Sequence, residues 1–267
     1  MSIDILPLID LGTISFHTGV KSSPFNDGLP NTAPFNVGLR SYVNLLVQVP
    51  YADVSRYLAK AYEKGSMIGT PMSEVGVGRK YTEDFLEFIL KNVNLQNEDR
   101  PRILEIGCGT GYLLYRLKRL GLRVLGIEPG EQGQTGSLKY DLEIIQDTFP
   151  GKMIGYGERF ELIIHYGVLE HIENPVTFLQ KQAEYLSEYG STIFAVPNCQ
   201  EYILSGNISM FVHEHWNYFT PYSLNKVIEK AGMKLLRLES ARYGGAIYGI
   251  AGKTGQAIDI AEEFNWP

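Results

Sequence analysis

The sequence predicts an α/β fold with a mostly parallel seven-stranded sheet, helices on both faces of the sheet, and a small irregular N-terminal region. Three observations favour this class. Short apolar runs of strand length alternate with segments of helical period from about residue 100 onward. A glycine-rich turn follows the first of these runs, where a helix begins. The length of 267 residues and the apolar content of 44% suffice for one such domain with an appendage.

The predicted elements follow one another in the order that a parallel sheet requires. A helix is expected over 79–96, since Tyr81, Phe85 and Phe88 fall on one side of it. Two further strands, near 234–240 and 246–252, are expected to close the sheet as an antiparallel pair. The remaining expected elements are strands near 102–106, 123–128, 142–146, 161–166 and 191–196 and helices near 175–189 and 222–232.

The sequence outside this core is less regular. Residues 1–70 contain loops marked by proline and glycine before a strand-like run over 42–49. We predict that they form an appendage for substrate binding or oligomerisation. The core then covers 71–257, and 258–267 form a C-terminal tail. The glycine-rich stretch 130–137 is expected to be a loop in the place of a longer helix.

Composition and charge narrow the classes of function. The formal net charge of −6 and the pI near 5.5 argue against nucleic acid as a partner, because phosphate binding requires a basic surface. No apolar run reaches the roughly 20 residues that span a bilayer, so we expect a cytoplasmic location and no membrane partner. Cys108 and Cys199 form no disulfide or metal-binding pattern. A small molecule is therefore the expected substrate.

The glycine-rich turn carries the first candidate binding residues. Gly107, Gly109 and Gly111 follow the spacing G-x-G-x-G, whereas dinucleotide-binding turns need G-x-G-x-x-G. Such a turn lets a ligand approach the backbone closely. Glu105, at the end of the preceding strand, suits a ligand that carries an ammonium group. Glu128, at the end of the next strand, can accept hydrogen bonds from both hydroxyls of a ribose.

This stretch resembles the class I S-adenosylmethionine-dependent methyltransferases, and the later strands match that family in order. The resemblance implies a Rossmann-like sheet with S-adenosyl-L-methionine as cofactor, its methionine part over the glycine turn and its ribose on Glu128. It also implies that Asp147 contacts the adenine amino group. His165, at the end of the fourth strand, contacts cofactor or substrate or merely packs the strand end. Tyr81 is a candidate for contact with the methionine carboxylate or the substrate.

The turn after the fourth strand, with Glu170 and His171, is equally compatible with a helix-capping segment and with a ligand-binding one. A second polar cluster, His213, Glu214 and His215, follows the fifth strand, where ligands of open parallel sheets bind. In an extended segment the two histidines of this cluster face one side and the glutamate the other, whereas in a turn all three converge.

The chemistry expected of this second cluster is proton removal. Methylating a hydroxyl, or a carbon beside a carbonyl, requires that a proton leave, and a histidine near its solution pKa suits that role. A metal site is not expected, because neither a cysteine nor a group of carboxylates completes a ligand set around His213 and His215.

The segment 210–224 resembles the sugar C-methyltransferases that act on nucleotide-linked keto-sugars. That resemblance implies Glu214 and His215 as the acid/base pair and a carbohydrate or nucleotide-sugar as acceptor. The zinc-binding cysteines of those enzymes have no counterpart in this sequence. The same residues also resemble small-molecule O-methyltransferases, in which the histidine mainly fixes a loop over the cofactor. Both C- and O-methylation therefore stay open at this point.

Two other classes are compatible with the same fold. A Rossmann oxidoreductase is disfavoured by the glycine spacing. A catalytically silent methyltransferase-like subunit that pairs with an active partner is suggested by the unusual stretch 130–137, and a homodimer is the other expected assembly. We expect a methyltransferase that acts on a small, carbohydrate-type acceptor, with His215 as general base assisted by Glu214.

Overall fold

The computed structural model describes residues 5–16, 28–62, 72–93, 101–152, 154–155 and 157–258. These residues form two sheets, one of seven strands and one of four. The predicted boundary between appendage and core near residue 70 lies outside the described residues, as do residues 259–267 of the predicted tail. None of the described helices combines the length and the apolar character needed to cross a membrane.

The described part of the chain contains α-helices, β-strands and short 3₁₀ turns. The helices are α1 (Val54–Tyr62), α2 (Gly76–Asn92), α3 (Tyr112–Arg119), α4 (Gln132–Tyr140), α5 (Pro175–Tyr185), α6 (Gln200–Ser205) and α7 (Pro221–Lys230). The strands are β1 (Ile5–Ser15), β2 (Thr32–Arg40), β3 (Leu45–Gln48), β4 (Arg102–Ile106), β5 (Arg123–Ile127), β6 (Ile144–Ile145), β7 (Phe160–Tyr166), β8 (Leu186–Pro197), β9 (Asn217–Tyr218), β10 (Lys234–Ser240) and β11 (Ala246–Gly252). The 3₁₀ turns occur at Ser41–Val43, Leu169–His171 and Ile208–Met210.

The seven-stranded sheet has the order β10-β11-β8-β7-β4-β5-β6. Strands β6, β5, β4, β7 and β8 pair in parallel, and β11 pairs antiparallel with both β8 and β10. This arrangement confirms the predicted fold class, including the antiparallel closing pair. Because the central strands are parallel, their carboxyl ends meet at one edge of the sheet, where α/β folds bind ligands.

Alternating side chains of β4 build a hydrophobic core on each face of the sheet. Ile103 belongs to a cluster with Phe85 of α2 and Leu113 of α3, whereas its neighbour Leu104 belongs to a cluster with Leu179 of α5. Ile103 and Leu104 are both fully buried. Successive residues of a strand point to opposite faces, so a continuous apolar run is the pattern that a sheet covered on both faces requires.

Two helices begin where local capping chemistry favours it. The Asn174 side chain accepts a hydrogen bond from the Thr177 N–H at the start of α5. Thr220 and Ser223 form a reciprocal capping pair at the start of α7. Helix α5 ends at Tyr185, not near 189 as expected, because strand β8 begins at Leu186 and pairs with β7.

The N-terminal region differs from the irregular segment that the sequence predicted. Strands β1, β2 and β3 pair antiparallel, and β9 from the later part of the chain adds to β3 as the fourth strand. Residues of β1 are mostly exposed, so this strand lacks the simple alternation of apolar and polar residues by which strands are recognised. The pairing partners, and not the local pattern, determine its conformation.

The stretch 130–137 is also different from the prediction, since most of it lies in helix α4. Its glycines are positions of close contact. A Cβ at Gly136 would lie 2.0 Å from the Thr110 carbonyl oxygen, and one at Gly133 would lie 3.1 Å from the Glu128 Cβ. Glycine at these positions lets α4 pack directly on the glycine-rich turn. Glycine is favoured both in turns and where backbones pack closely. The glycine-rich composition therefore indicated a loop, although its cause is close packing.

Candidate functional site

A cavity of about 1370 Å³ opens at the carboxyl ends of the parallel strands. Its walls come from the turn after β4, the end of β5, the turns after β7 and β8, and the helices α1 and α2. Gly107, Gly109 and Glu128 line one part of it, and Glu170, His171 and His215 line another. We call these parts the glycine-turn end and the histidine end.

The glycine turn is held in a conformation that other residues rarely adopt. Gly107, Gly109 and Gly111 have φ angles of 67°, 55° and 72°. A Cβ at Gly107 would lie 2.7 Å from the Val168 Cγ2, and the Gly107 N–H donates to the Ile127 carbonyl at 2.8 Å. The backbone of this turn is therefore accessible to a ligand at close range. Gly111 does not line the cavity, and its missing Cβ makes room for Leu142.

Glu128 is fixed by the backbone around it. Its Oε2 accepts a hydrogen bond from the Gly109 N–H at 2.9 Å, and its Oε1 accepts one from the Gly130 N–H at 2.8 Å. The residue is 5% exposed and lines the cavity. Since a carboxylate offers about four acceptor positions, each oxygen keeps capacity for one more donor. Two neighbouring hydroxyl groups, such as those of a ribose, match that capacity.

Glu105 lies behind the cavity wall, beneath the glycine turn. It is buried and does not belong to the lining, and no described residue hydrogen-bonds its Oε2. Burial, followed by the nearby charge of Glu128, raises the pKa of Glu105 to about 8. The structure thus buries the Glu105 carboxyl outside the cavity lining, where the sequence suggested direct contact with an ammonium group. The reason is that the strand turns the side chain beneath the turn.

Asp147 stands at the cavity wall with its carboxylate already ordered. It accepts hydrogen bonds from the N–H groups of Thr148, at 2.8 Å, and Lys152, at 3.0 Å. These bonds, the one from Lys152 first, lower the pKa of Asp147. The side chain is thus held as an ionised acceptor, the state needed to receive a hydrogen bond from an amino group.

The structure places Tyr81 in the cavity wall but His165 outside it. The Tyr81 ring packs on Gly244, where a Cβ would lie 3.2 Å from the ring. His165 is fully buried against Phe194, with ring centroids 5.6 Å apart. Its burial lowers the pKa to about 3. Because side chains alternate along β7, the next residue, Tyr166, lines the cavity where His165 was expected.

The histidine end contains three polar side chains close together, of which Glu170 is buried and the two histidines are partly buried. Glu170 and His171 lie in the 3₁₀ turn after β7, and His215 lies just before β9. One ligand atom from each of them falls within 4.8 Å of the other two. Glu170 is 4% exposed, and no described residue hydrogen-bonds its Oε2. From the sequence, Glu170 and His171 were equally compatible with helix capping and with ligand binding. Their position next to the end of a parallel strand was the signal that could have placed them in the site.

Hydrogen bonds orient His171, and His215 packs beside it. The Nδ1 atom of His171 lies 2.9 Å from the Glu214 carbonyl oxygen and 3.0 Å from the Tyr62 Oη. The Met210 backbone acts to raise the pKa of His215, against the larger effect of burial. The two imidazole rings are 4.9 Å apart between centroids.

Burial controls the protonation of this cluster. It lowers the pKa of His171 to about 4 and, together with the proximity of His171, that of His215 to about 3. Burial also raises the pKa of Glu170 to about 8. Both imidazoles are therefore neutral at neutral pH. This differs from the sequence expectation of a histidine near its solution pKa, which did not include desolvation.

The other two members of the 213–215 tripeptide do not line the cavity. Glu214 is fully buried and acts on the site through its carbonyl, which holds His171. His213 is fully buried in the small sheet, with ring nitrogens 3.2 Å from the Ser15 carbonyl oxygen and 3.3 Å from that of Pro34. The three residues do not converge, so only His215 of the predicted tripeptide reaches the cavity.

Comparison with known proteins adds an independent line of evidence. A family model described as a methyltransferase domain matches residues 77–238. Two curated proteins named ubiquinone biosynthesis O-methyltransferase are similar to the chain. The one from Dinoroseobacter shibae is 28% identical over 149 residues, which are 50% of this chain and 60% of the relative. The one from Pelagibacter ubique is 24% identical over 177 residues, 59% of this chain and 73% of the relative.

Among solved structures, the CcbJ methyltransferase from Streptomyces caelestis superimposes with a TM-score of 0.52 at 13% identity. The match covers 64% of this chain and 88% of that one. At this identity the likeness concerns the fold. The family match begins after α1 and ends within β10, so it includes the glycine turn and every residue of the histidine end.

Proposed function

We propose that this chain, which belongs to the family of methyltransferase domains, transfers a methyl group from S-adenosylmethionine to a small-molecule acceptor bound in the cavity. The family match covers more than half of the chain and confirms the expected class I fold and donor. The observation that carries the proposal is the cavity itself, which joins Glu128, a carboxylate with capacity for two hydroxyl donors, to a cluster of one buried carboxyl and two partly buried imidazoles.

The glycine-turn end is the proposed donor site. S-Adenosylmethionine supplies a methyl group on a positively charged sulfur. The residues fit it by their donor and acceptor chemistry: Glu128 keeps capacity for the two ribose hydroxyls, Asp147 is held ionised for the adenine amino group, and Tyr81 stands in the same wall. The open backbone of the turn gives the methionine part of the donor room to lie close.

The histidine end is the proposed acceptor site. Transfer to a hydroxyl breaks the bond between sulfur and methyl, forms a bond between oxygen and methyl, and releases the hydroxyl proton to solvent. His215 is neutral and lines the cavity, so its free ring nitrogen can accept a hydrogen bond from that hydroxyl and orient the oxygen. We assign Glu214 a positioning role, through the carbonyl that holds His171.

The lining of the cavity supports an uncharged, hydroxylated acceptor of the carbohydrate type. Polar groups in the wall include Ser55, Tyr62, Ser73 and Trp216, and no lysine or arginine occurs among the described lining residues. A phosphate bound inside the described wall would lack a cationic partner. For a nucleotide-sugar, we therefore propose that only the sugar enters the cavity. The relatives named O-methyltransferases favour transfer to oxygen over transfer to carbon.

One pair of measurements tests the proposed function. S-Adenosylhomocysteine should raise the melting temperature of the protein, and NADH should not; the opposite result would favour an oxidoreductase. Labelled S-adenosylmethionine should then give methylated product with a panel of free sugars, nucleotide-sugars and phenols. The stretch that suggested a silent subunit is helix α4, packed directly on the donor site. Absence of turnover with every acceptor, together with a stable complex with a second protein, would nevertheless favour that alternative.

A further inference from the structure

We propose that Glu170, His171 and His215 bind a divalent transition-metal ion at the histidine end of the cavity. The three ligand atoms lie within 4.8 Å of one another. In a tetrahedral site with bonds of about 2.05 Å, ligand atoms are roughly 3.3 Å apart. The side chains therefore need to approach one another by only about 1.5 Å, a change that small rotations of their side-chain torsions can supply.

The hydrogen bonds around the two imidazoles leave the correct nitrogens for a metal. A carbonyl oxygen accepts hydrogen bonds and cannot donate them, so the 2.9 Å contact with the Glu214 carbonyl places a proton on the Nδ1 of His171. Its Nε2, which lies 4.0 Å from the Glu170 Oε1, then carries the lone pair. His215 is neutral and so also carries one unprotonated ring nitrogen. Metal-binding histidines in proteins usually donate their other ring N–H in this way.

The carboxyl group of Glu170 supplies an independent observation. It is 4% exposed and lines the cavity, and no described residue hydrogen-bonds its Oε2. A buried polar atom without a partner is costly, and a buried carboxylate normally pairs with a cation or a metal. Arginine and lysine are absent from the described lining. A metal ion between the carboxyl and the two imidazoles would provide the missing partner.

The ligand set indicates the kind of ion. Two imidazole nitrogens and one carboxylate oxygen suit Zn²⁺, Co²⁺ or Fe²⁺, whereas Mg²⁺ prefers oxygen ligands alone. Three protein ligands also leave coordination positions open, as in metal sites that bind a substrate. Those positions would face the cavity and receive an oxygen of the acceptor, which would replace the hydrogen bond from the acceptor to His215, because the unprotonated nitrogen of His215 would hold the ion. This role rests on the proposed function, whereas metal binding itself does not.

The sequence suggested no metal because it offered only His213 and His215 as a local pair. The structure separates that pair, since His213 contacts the small sheet. It brings Glu170 and His171 to His215 from more than 40 residues earlier in the chain. Fold contacts, and not spacing in the sequence, complete the ligand set.

Cobalt titration of the untagged, chelator-treated full-length chain tests the proposal. We expect one Co²⁺ per chain, with visible absorption from bound nitrogen and oxygen ligands. Glu170→Gln and His215→Asn should each weaken binding at least tenfold. Glu173→Gln, which removes an exposed carboxylate from the same cavity wall, is the matched control and should bind like the wild type. Equal affinity of all four proteins, or no binding by the wild type at millimolar Co²⁺, would overturn the proposal.

Two further readouts keep the test decisive. S-Adenosylhomocysteine affinity shows whether each variant is folded; if Glu170→Gln fails to fold, His215→Asn decides the outcome alone. Because the titration contains no donor and no acceptor, it also separates this proposal from the proposed function. Cobalt binding without methyl transfer to any acceptor would contradict the methyltransferase activity only. Methyl transfer to an acceptor by a protein that binds no Co²⁺ in the titration would remove the metal proposal only.

Discussion

The two ends of the cavity are stabilised in different ways. At the glycine-turn end, Glu128 is held by two backbone N–H groups, and the contributing residues lie on adjacent parallel strands. At the histidine end, Glu170, His171 and His215 come from separate segments and depend on one another and on backbone carbonyls. The first arrangement is complete before any ligand arrives. The second keeps a buried carboxyl oxygen without a partner among the described residues.

Because the two ends differ in this way, we expect substitutions at each end to impair a different step. A substitution at the glycine-turn end should change donor affinity, since the groups there are already set for binding. A substitution at the histidine end should change turnover, since the groups there contact the acceptor in our proposal. Three substitutions test that separation, and a fourth tests the buried Glu105 behind the glycine turn; they follow in order of decreasing effect.

The largest effect is expected for His215→Asn. Turnover should fall by on the order of 10² to 10⁴, the range for loss of a positioned proton-transfer or orienting group. S-Adenosylhomocysteine affinity, measured by calorimetry, should stay nearly unchanged. Turnover above half of the wild-type value at saturating acceptor would mean that His215 only anchors its loop. A joint loss of donor affinity would break the separation of the two ends.

Glu128→Ala should mainly weaken donor binding. A hydrogen bond to a charged group contributes roughly 1.5–3 kcal/mol, so S-adenosylhomocysteine affinity should fall about ten- to a hundredfold. Glu131→Ala, which removes an exposed carboxylate beside the start of α4, is the control. Equal affinities of the Glu128 and Glu131 variants in calorimetry would contradict the ribose assignment.

Glu105→Gln should change the pH dependence of stability. The folded-state pKa of Glu105, about 8, lies above its ordinary value, so the carboxyl is neutral in the folded protein at pH 7 while the unfolded chain ionises it. The contribution of Glu105 to the free energy of unfolding is therefore fully present below about pH 4.5 and is lost as pH rises through 8. The variant cannot ionise, so its free energy of unfolding relative to wild type should rise by about 1–3 kcal/mol between pH 5 and 8. Urea unfolding measures this difference. The same difference in free energy of unfolding between variant and wild type at pH 5 and at pH 8 would refute the prediction.

The smallest effect is expected for Asp147→Ala. The side chain is partly exposed, so the loss of one hydrogen bond to the ligand should weaken affinity only roughly fivefold. The loss should be confined to adenosyl ligands, because an inosyl analogue has no amino group to donate. Competition binding with both analogues measures the ratio. An equal loss for both would indicate general damage to the wall instead of adenine recognition.

The glycine-turn end was largely predictable from the sequence because its residues are close in the chain. Glu105, Gly107 and Gly109 lie in one run, and Glu128 ends the next strand. The fold class followed from the same alternation of strands and helices. The orientation of two side chains was not predicted correctly. Strand alternation turns Glu105 and His165 away from the cavity. The order of residues in the sequence does not show which face of a strand a ligand contacts.

The histidine end was less predictable for a physical reason. Its members meet only after β7, α1 and the loop before β9 have packed, and the pKa of His215 depends on that burial. Sequence reasoning selected His215 but could not supply Glu170 and His171 as its neighbours. The same limit applies to α4, whose glycines are explained by Thr110 and Glu128 on other elements.

Strand β9 connects the four-stranded sheet to the histidine end of the cavity. Tyr218 and Asn217 of β9 pair with Leu46 and Val47 of β3, and the Gln48 N–H donates to the Trp216 carbonyl at 2.9 Å. The segment that carries His215 is thereby hydrogen-bonded to residues outside the family match. Substitutions in β3 would therefore act on the segment that carries His215 and not on the glycine turn. If the histidine end binds the acceptor as we propose, selectivity for the acceptor could change during evolution without a change in the donor site.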